Sequence, residues 1–253
     1  RKEKNKLVVN GGTLSNPSGV LNMQNSGTSA RLMLGLLSGQ NISAEFQGDA
    51  SLSNRPMGRI INPLKKMGAE IEADNNHLPI KLIRGVKKNI LFNENKQSAQ
   101  IKSALIFAAM GLNNESQIFY DKLTRDHTER LLKYINKECL IVDDEKILIK
   151  QSFINNGFSL DVPGDISNAS FIIAGAILIK DSDITIEKVL YNKTRNGFIE
   201  LLQQIGADIK IKNIKKIPGG ESVCDIAVKY SGKLKTCRVN IENIISIIDE
   251  VPI

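Results

Sequence analysis

Two stretches of the chain share one hydrophobic grammar. Ile61-Asn62-Pro63-Leu64-Lys65-Lys66-Met67-Gly68-Ala69-Glu70-Ile71 and Ile199-Glu200-Leu201-Leu202-Gln203-Gln204-Ile205-Gly206-Ala207-Asp208-Ile209 place apolar residues at helical spacing, then a Gly, then apolar residues in alternation. This predicts an amphipathic helix, a glycine C-cap and a strand. Residues 128–135 lead into Leu140-Ile141-Val142 by a similar step without the glycine. Leu64, Leu132 and Leu202 recur about 70 positions apart, which is longer than the period of a solenoid repeat. It fits a recurring α/β unit.

A second kind of helix is rich in small and apolar residues on nearly every side: 28–37, 99–110 and 168–179. Such helices belong inside a fold. Short runs such as Ile147-Leu148-Ile149 and Ile184-Thr185-Ile186 supply strands. The expected fold class is a layered α/β (α+β) arrangement, with buried helices inside and strands plus amphipathic helices outside. Val162-Pro163-Gly164-Asp165 breaks the pattern before a new helix, so a domain boundary is expected there. Residues 1–162 would form most of a first, substrate-binding domain and 163–253 part of a second.

Length and composition narrow the class. A chain of 253 residues makes one large domain or two small ones. Hydrophobic residues at 42% and charged residues at 24% argue against disorder as the main state. No apolar run approaches the roughly 20 residues of a membrane-spanning helix. Arg1-Lys2-Glu3-Lys4 leads into no signal-peptide apolar region. Lys and Arg number 34 against 27 acidic residues, a net charge of +7. With 5% aromatics and no Trp, a base-stacking nucleic-acid platform is not expected. The basic balance suits a small anionic substrate. Cys139, Cys224 and Cys237 are too scattered for a disulfide framework and are expected to be reduced. With His77 and His127 the only histidines, no Cys/His group has zinc spacing, and no metal site is expected.

Four polar segments stand at the starts of helices, where unpaired N–H groups and the helix dipole favour anions. In Asn25-Ser26-Gly27-Thr28-Ser29-Ala30-Arg31, Gly27 admits a ligand close to the backbone and Arg31 lies one turn on. An ordinary Ser/Thr cap is the plainer alternative. Arg55, just before Pro56, offers a planar fork to phosphate or carboxylate, or else is solvated. Ser98 and Gln100 bracket a helix start with neutral donors, or serve as a cap and a surface Gln. In Thr124-Arg125-Asp126-His127-Thr128-Glu129, Arg125 and His127 are candidates for a cleft, and Asp126, Thr128 and Glu129 for caps. No nucleophilic Ser or Cys constellation gives His127 a partner as general base.

Together these segments resemble the enolpyruvyl transferase family, in its branch that uses 3-phosphoshikimate. Asn25-Ser26-Gly27-Thr28 with Arg31 is similar to the family's N-[SA]-G-T-x-x-R, and Ser51-Leu52-Ser53-Asn54-Arg55-Pro56-Met57 to its S-L-x-x-R-P-M. Ser98-Ala99-Gln100-Ile101-Lys102-Ser103-Ala104 is similar to S-A-Q-x-K-S-A, and Arg125-Asp126-His127-Thr128-Glu129 to R-D-H-T-E. Pro163-Gly164-Asp165-Ile166-Ser167 resembles P-G-D-x-S, and Asp249-Glu250-Val251-Pro252 resembles D-E-x-P. Thr124 stands where many relatives carry Ser.

The resemblance implies a two-domain fold of βαβαββ units with substrates in the cleft between domains. It also implies transfer of the enolpyruvyl group of phosphoenolpyruvate to the 5-hydroxyl of 3-phosphoshikimate, releasing phosphate, with no cofactor. Gly27 and Arg55 would hold phosphoenolpyruvate. Ser98 and the Ala99 backbone would take the phosphate of phosphoshikimate, with Gln100 between the two substrates. Arg125 would contact the shikimate side, and Asp249 would accept the hydroxyl proton. A monomeric, cytoplasmic enzyme without nucleic-acid or membrane partners is expected.

The family's N-terminal K-S segment and its C-terminal Lys, Glu and two Arg residues find no counterpart. The apolar run 244–248 is followed only by Asp249-Glu250-Val251-Pro252-Ile253. A fragment lacking both ends, with negligible turnover by itself, is therefore expected. The alternatives are the branch that uses UDP-N-acetylglucosamine, whose reactive-Cys loop finds no match here, and a non-catalytic anion-binding relative.

Overall fold

A computed structural model of the protein describes residues 2–3, 6–94, 98–121, 124–152, 154, 156–239, 244 and 246–253. In chain order its elements begin with β1 (Lys2–Glu3), β2 (Lys6–Leu7), β3 (Leu21–Asn22), α1 (Gly27–Gly39), β4 (Ala44–Gln47), α2 (Ala50–Ser53), α3 (Gly58–Lys66), β5 (Glu70–Ala73) and β6 (Ile80–Arg84). They continue with β7 (Leu91–Asn93), α4 (Ala99–Met110), β8 (Ser116–Phe119), α5 (His127–Ile135), β9 (Leu140–Val142) and β10 (Lys146–Ile149). The last are α6 (Ile166–Leu178), β11 (Asp183–Leu190), α7 (Gly197–Gln204), β12 (Ile209–Lys216) and β13 (Ser222–Lys229).

The recurrence near 70 residues is a repeated βαβαββ unit. In the first copy β3 pairs in parallel with β4, β4 antiparallel with β6, and β6 antiparallel with β5, giving the order β3-β4-β6-β5. The second copy repeats these senses in the order β7-β8-β10-β9. The third has β11-β13-β12, all antiparallel, and Gly164 makes one parallel bridge to Val189 where the other copies have their first strand. The glycine C-caps read from the sequence are in place: Gly68 and Gly206 follow α3 and α7 at φ +91° and +99°, the left-handed conformation that ends a helix.

By contacts the chain forms two compact units, Arg1–Lys122 with Asn136–Gly157 and Leu123–Ile135 with Phe158–Ile253. Helix α5 thus packs with the second unit, whereas the strands that follow it, β9 and β10, belong to the first.

In the first unit α1 and α4 run parallel. Thr28 meets Gln100 at their N-terminal ends, and Gly39 meets Gly111 at their C-terminal ends. Small residues allow this approach: a Cβ on Gly35 would lie 2.2 Å from the Ala104 carbonyl oxygen, and one on Gly111 would lie 1.9 Å from that of Gly39. Nine residues of α4 are buried, Lys102 and Ser103 among them, as its largely apolar surface requires. Gly35→Val should therefore destabilise the unit by about 3 kcal/mol or more, because backbone rather than a side chain would have to yield; urea denaturation measures it.

In the second unit α6 lays Ile166, Ala169, Ile173, Ala176 and Ile177 against Val189, Cys224, Ile226 and Val228 of the sheet. The expectation of a wholly buried helix fails here. Phe171, Ile172 and Leu178 are 64%, 56% and 67% exposed, and Ile179 just beyond is 64% exposed. Unlike α1 and α4, which cover one another, α6 is covered on its sheet side. Asp225 on the central strand β13 accepts the Lys188 N–H at 3.0 Å and the Asn213 amide at 2.7 Å, so one carboxylate serves the irregular positions of both neighbouring strands. The outer strand β12 carries Lys210, Lys212, Lys215 and Lys216, charges that discourage pairing at a sheet edge. Cys139, Cys224 and Cys237 are free thiols. Burial, and then Asp225, pushes Cys224 up to about 11, out of the reactive range. Among the described residues no helix is long and apolar enough to cross a membrane.

Candidate functional site

The first unit gathers cations where two helix dipoles point. Because α1 and α4 are parallel, their N-termini present partial positive charge at the same end. Ser26 caps α1, its hydroxyl oxygen accepting the Ser29 N–H at 3.2 Å, so the plain cap reading holds for that residue. Ser98 occupies the corresponding position of α4 but makes no side-chain cap bond; its own N–H donates to Glu94 at 3.1 Å. The first N–H groups of α4, beginning with Ala99, have no partners within the helix.

Three arginines surround these helix starts. Arg31 donates to the Gln100 carbonyl oxygen at 2.6 Å, and the Gln100 amide donates to the Thr28 hydroxyl at 2.8 Å. Gln100 is thereby held in one orientation. Arg55 donates to the Asn25 carbonyl oxygen at 2.9 Å, and Asn25 donates to Asp49 at 2.7 Å. Burial, then the charges of Arg55 and Arg59, push the Arg31 guanidinium below its ordinary value. Arginine stays protonated regardless, so the cluster stores repulsion that an anion would relieve. Gly27 lies at its floor. A Cβ there would stand 3.0 Å from Arg31 Nη1 and 3.5 Å from Arg55 Nη1. The structure thus brings Gly27, Arg55 and Gln100 together on one unit, with Ser98 and Ala99 at the adjoining helix start.

Arg31 lies within a sequence motif, whereas Arg59 lies outside those motifs, and only the fold brings its charge beside Arg31. A cavity of about 360 Å³ in the same unit lies at the opposite, C-terminal ends of α1 and α4, lined by Gly39, Asn41, Arg84 and Gly111 among others. Helix C-termini repel anions, so charge rather than volume locates the site.

The second unit holds Arg125 and Asp249, which meet directly: Arg125 Nη2 donates to Asp249 Oδ2 at 2.5 Å. Their side chains are 29% and 48% exposed. Residue 125 is steered by the chain that follows it. Asp126 accepts from Asn192 at 2.7 Å and forms an ion pair with Arg130, one helical turn on, whose Nε is 2.8 Å away. His127 Nδ1 is 2.6 Å from Glu221, which also accepts from Asn192 at 3.3 Å. One ring nitrogen of His127 thus links it to Glu221, while its side chain stays 38% exposed. Asn192 and Glu221 had no sequence motif to announce them.

Burial opposes ionisation of Asp126, but hydrogen bonds from Arg130 and Asn192 and the Arg130 charge outweigh it, holding its carboxyl below the usual range. A depressed folded value stabilises the fold above the unfolded pKa, about 3.9. That contribution is lost as pH falls through the depressed value. The stability gap between the wild type and Asp126→Asn should accordingly be full at neutral pH and close below about pH 4. Urea midpoints measured across pH check this. Among the described residues no group of three or more His, Cys, Asp or Glu could hold a metal ion.

The comparisons bear on the whole chain. The family model described as EPSP synthase (3-phosphoshikimate 1-carboxyvinyltransferase) matches residues 1–253. A 3-phosphoshikimate 1-carboxyvinyltransferase of Persephonella marina is 39% identical over 259 residues, covering 100% of this chain and 60% of the relative. One from Pseudomonas sp. (strain PG2982) is 40% identical, covering 100% and 58%. Among solved structures, an EPSP synthase from Acinetobacter baumannii superposes with a TM-score of 0.81 at 37% identity, covering 93% of this chain and 54% of that one. The chain thus spans about three fifths of the length of the curated relatives it matches. The matched model over the full chain and the repeated βαβαββ topology agree, and the chain belongs to the EPSP synthase (3-phosphoshikimate 1-carboxyvinyltransferase) family.

Proposed function

We propose that this chain serves the transfer of the enolpyruvyl group from phosphoenolpyruvate to the 5-hydroxyl of 3-phosphoshikimate. The observation that carries this reading is the cluster of Arg31, Arg55 and Arg59 at two parallel helix N-termini, a mutually repelling set suited to a small polyanion. In this reading Arg55 and the Gly27 floor take phosphoenolpyruvate. Ser98, with its hydroxyl free of capping, and the Ala99 N–H take the phosphate of 3-phosphoshikimate. Gln100 presents a fixed amide to the substrates. Arg125 binds the shikimate side.

The same reading gives the chemistry. Asp249 accepts the proton of the 5-hydroxyl as its oxygen attacks C2 of phosphoenolpyruvate and C3 takes a proton. The resulting tetrahedral intermediate breaks its C2–O bond to phosphate, C3 gives up a proton, and the double bond re-forms. The arginines stabilise charge on the departing phosphate. A monomer in the cytoplasm, and a division into domains at residues 1–162 and 163–253, go with the same reading.

Phosphate release by the full-length protein tests it. Release should require phosphoenolpyruvate and 3-phosphoshikimate together. Release with UDP-N-acetylglucosamine in place of 3-phosphoshikimate would assign the other branch. Binding of both substrates without release would make the chain an anion-binding relative.

A further inference from the structure

Asp249 lies on a short turn in which Glu250 N–H and Val251 N–H both donate to the Ile247 carbonyl. Its own side chain is half exposed, whereas neighbouring Glu250 is buried at 3%. An ion pair as exposed as Arg125–Asp249 contributes at most about 1 kcal/mol, too little to hold a turn in one place. The buried neighbour has a stronger tether. Glu250 accepts a hydrogen bond from the Ser167 hydroxyl, and Ser167 Oγ accepts one from Arg195 Nη2 at 2.6 Å. A guanidinium only donates, a carboxylate only accepts, and a hydroxyl has one proton. The direction of the chain is therefore set: Arg195 to Ser167 to Glu250.

Arg195 is itself well covered, its side chain 12% exposed, and lies 3.6 Å from Asp165, the residue that caps α6. Burial, then the neighbouring Arg125, pushes its guanidinium below the ordinary value, against the attraction of Asp165, Glu250 and Asp249. Its charge is thus felt at both Arg125 and Asp249. Three segments far apart in sequence meet at this guanidinium: the start of α6, the loop before α7, and the turn that bears Asp249.

We propose that Arg195 is a positioning residue, acting through Ser167 and Glu250 to anchor the turn that carries Asp249. The proposal extends the proposed function by naming what places the base, and it rests on that reading for its effect on turnover. Removing the guanidinium leaves Glu250 buried without its charge-assisted chain, so the turn must open to hydrate it. Asp249 moves with the turn. A displacement of the order of 1 Å is enough to cost about a hundredfold in rate.

Two measurements on the full-length protein test this with Arg195→Met, Arg195→Lys and the milder Ser167→Ala. The first is amide exchange. Arg195→Met and Ser167→Ala should each raise exchange at the Glu250 and Val251 amides about tenfold or more, the size of a lost charge-assisted hydrogen bond. The β13 amides should keep their protection. The second is turnover. Both variants should lower kcat about ten- to a hundredfold while KM for both substrates stays within about threefold. Arg195→Lys, which keeps a donor cation, should fall between Arg195→Met and the wild type.

Unchanged exchange at the turn overturns the anchoring. A raised KM for 3-phosphoshikimate with kcat intact overturns it too, because Arg195 would then be a substrate ligand. Should Arg195→Met fail to fold, Ser167→Ala decides alone. If the wild type does not release phosphate from this substrate pair, the substrate reading fails, and the exchange measurement still judges the anchoring.

Discussion

Asp249→Asn should lower kcat of the full-length protein by about a hundred- to ten-thousandfold while KM for both substrates moves by less than about threefold. Asparagine keeps the shape and can still accept from Arg125, but it cannot take up the proton of the attacking hydroxyl. The loss belongs to chemistry rather than to folding. The Arg125–Asp249 pair is 29% and 48% exposed, so breaking it costs at most about 1 kcal/mol. Stabilities of folded domains are about 5–15 kcal/mol. Steady-state phosphate release beside a thermal melt separates the two terms. A kcat within about threefold of the wild type would remove Asp249 from the role of base.

The second large effect is expected at Arg55. Arg55→Ala should lower kcat/KM for phosphoenolpyruvate by about a thousandfold, since a charged donor to the developing phosphate is lost together with ground-state binding. Arg55→Lys should recover little of it, because a point charge does not reproduce a planar fork. Stability should change little. Arg55 lies beside Arg31 and makes its side-chain bond to a neutral asparagine. Its removal relieves that repulsion while giving up the attraction of Asp49, so the variant should melt close to the wild type. A protein that loses both activity and stability at this position would show that Arg55 is a structural residue.

How much of this was readable in advance differs from element to element. The α3 and α7 steps were legible because a local rule writes them: apolar spacing on one face, a glycine that alone tolerates positive φ, then alternation. The burial of α1 and α4 was legible from their small, apolar surfaces. For α6 the same rule misled. Periodicity reports how much of a helix is fit for burial, and only the packing decides how much is covered. Phe171 and Leu178 are exposed because the described residues pack on its sheet side.

The site divides in the same way. Gly27, Arg55, Ser98, Gln100, Arg125 and Asp249 could be picked out from motifs, since each is a polar or glycine position in a short, specific run. The sequence by itself determined which segments bear cations and that one α/β unit recurs near every 70 residues. Only the tertiary structure decided the partners: Arg31 with Gln100, 69 positions away, His127 with Glu221, 94 away, and Ser167 with Glu250, 83 away. Local patterns are set by backbone geometry over a few residues. A hydrogen bond across such separations exists only after the helices and strands have packed, because burial is what makes leaving a charge unpaired too costly.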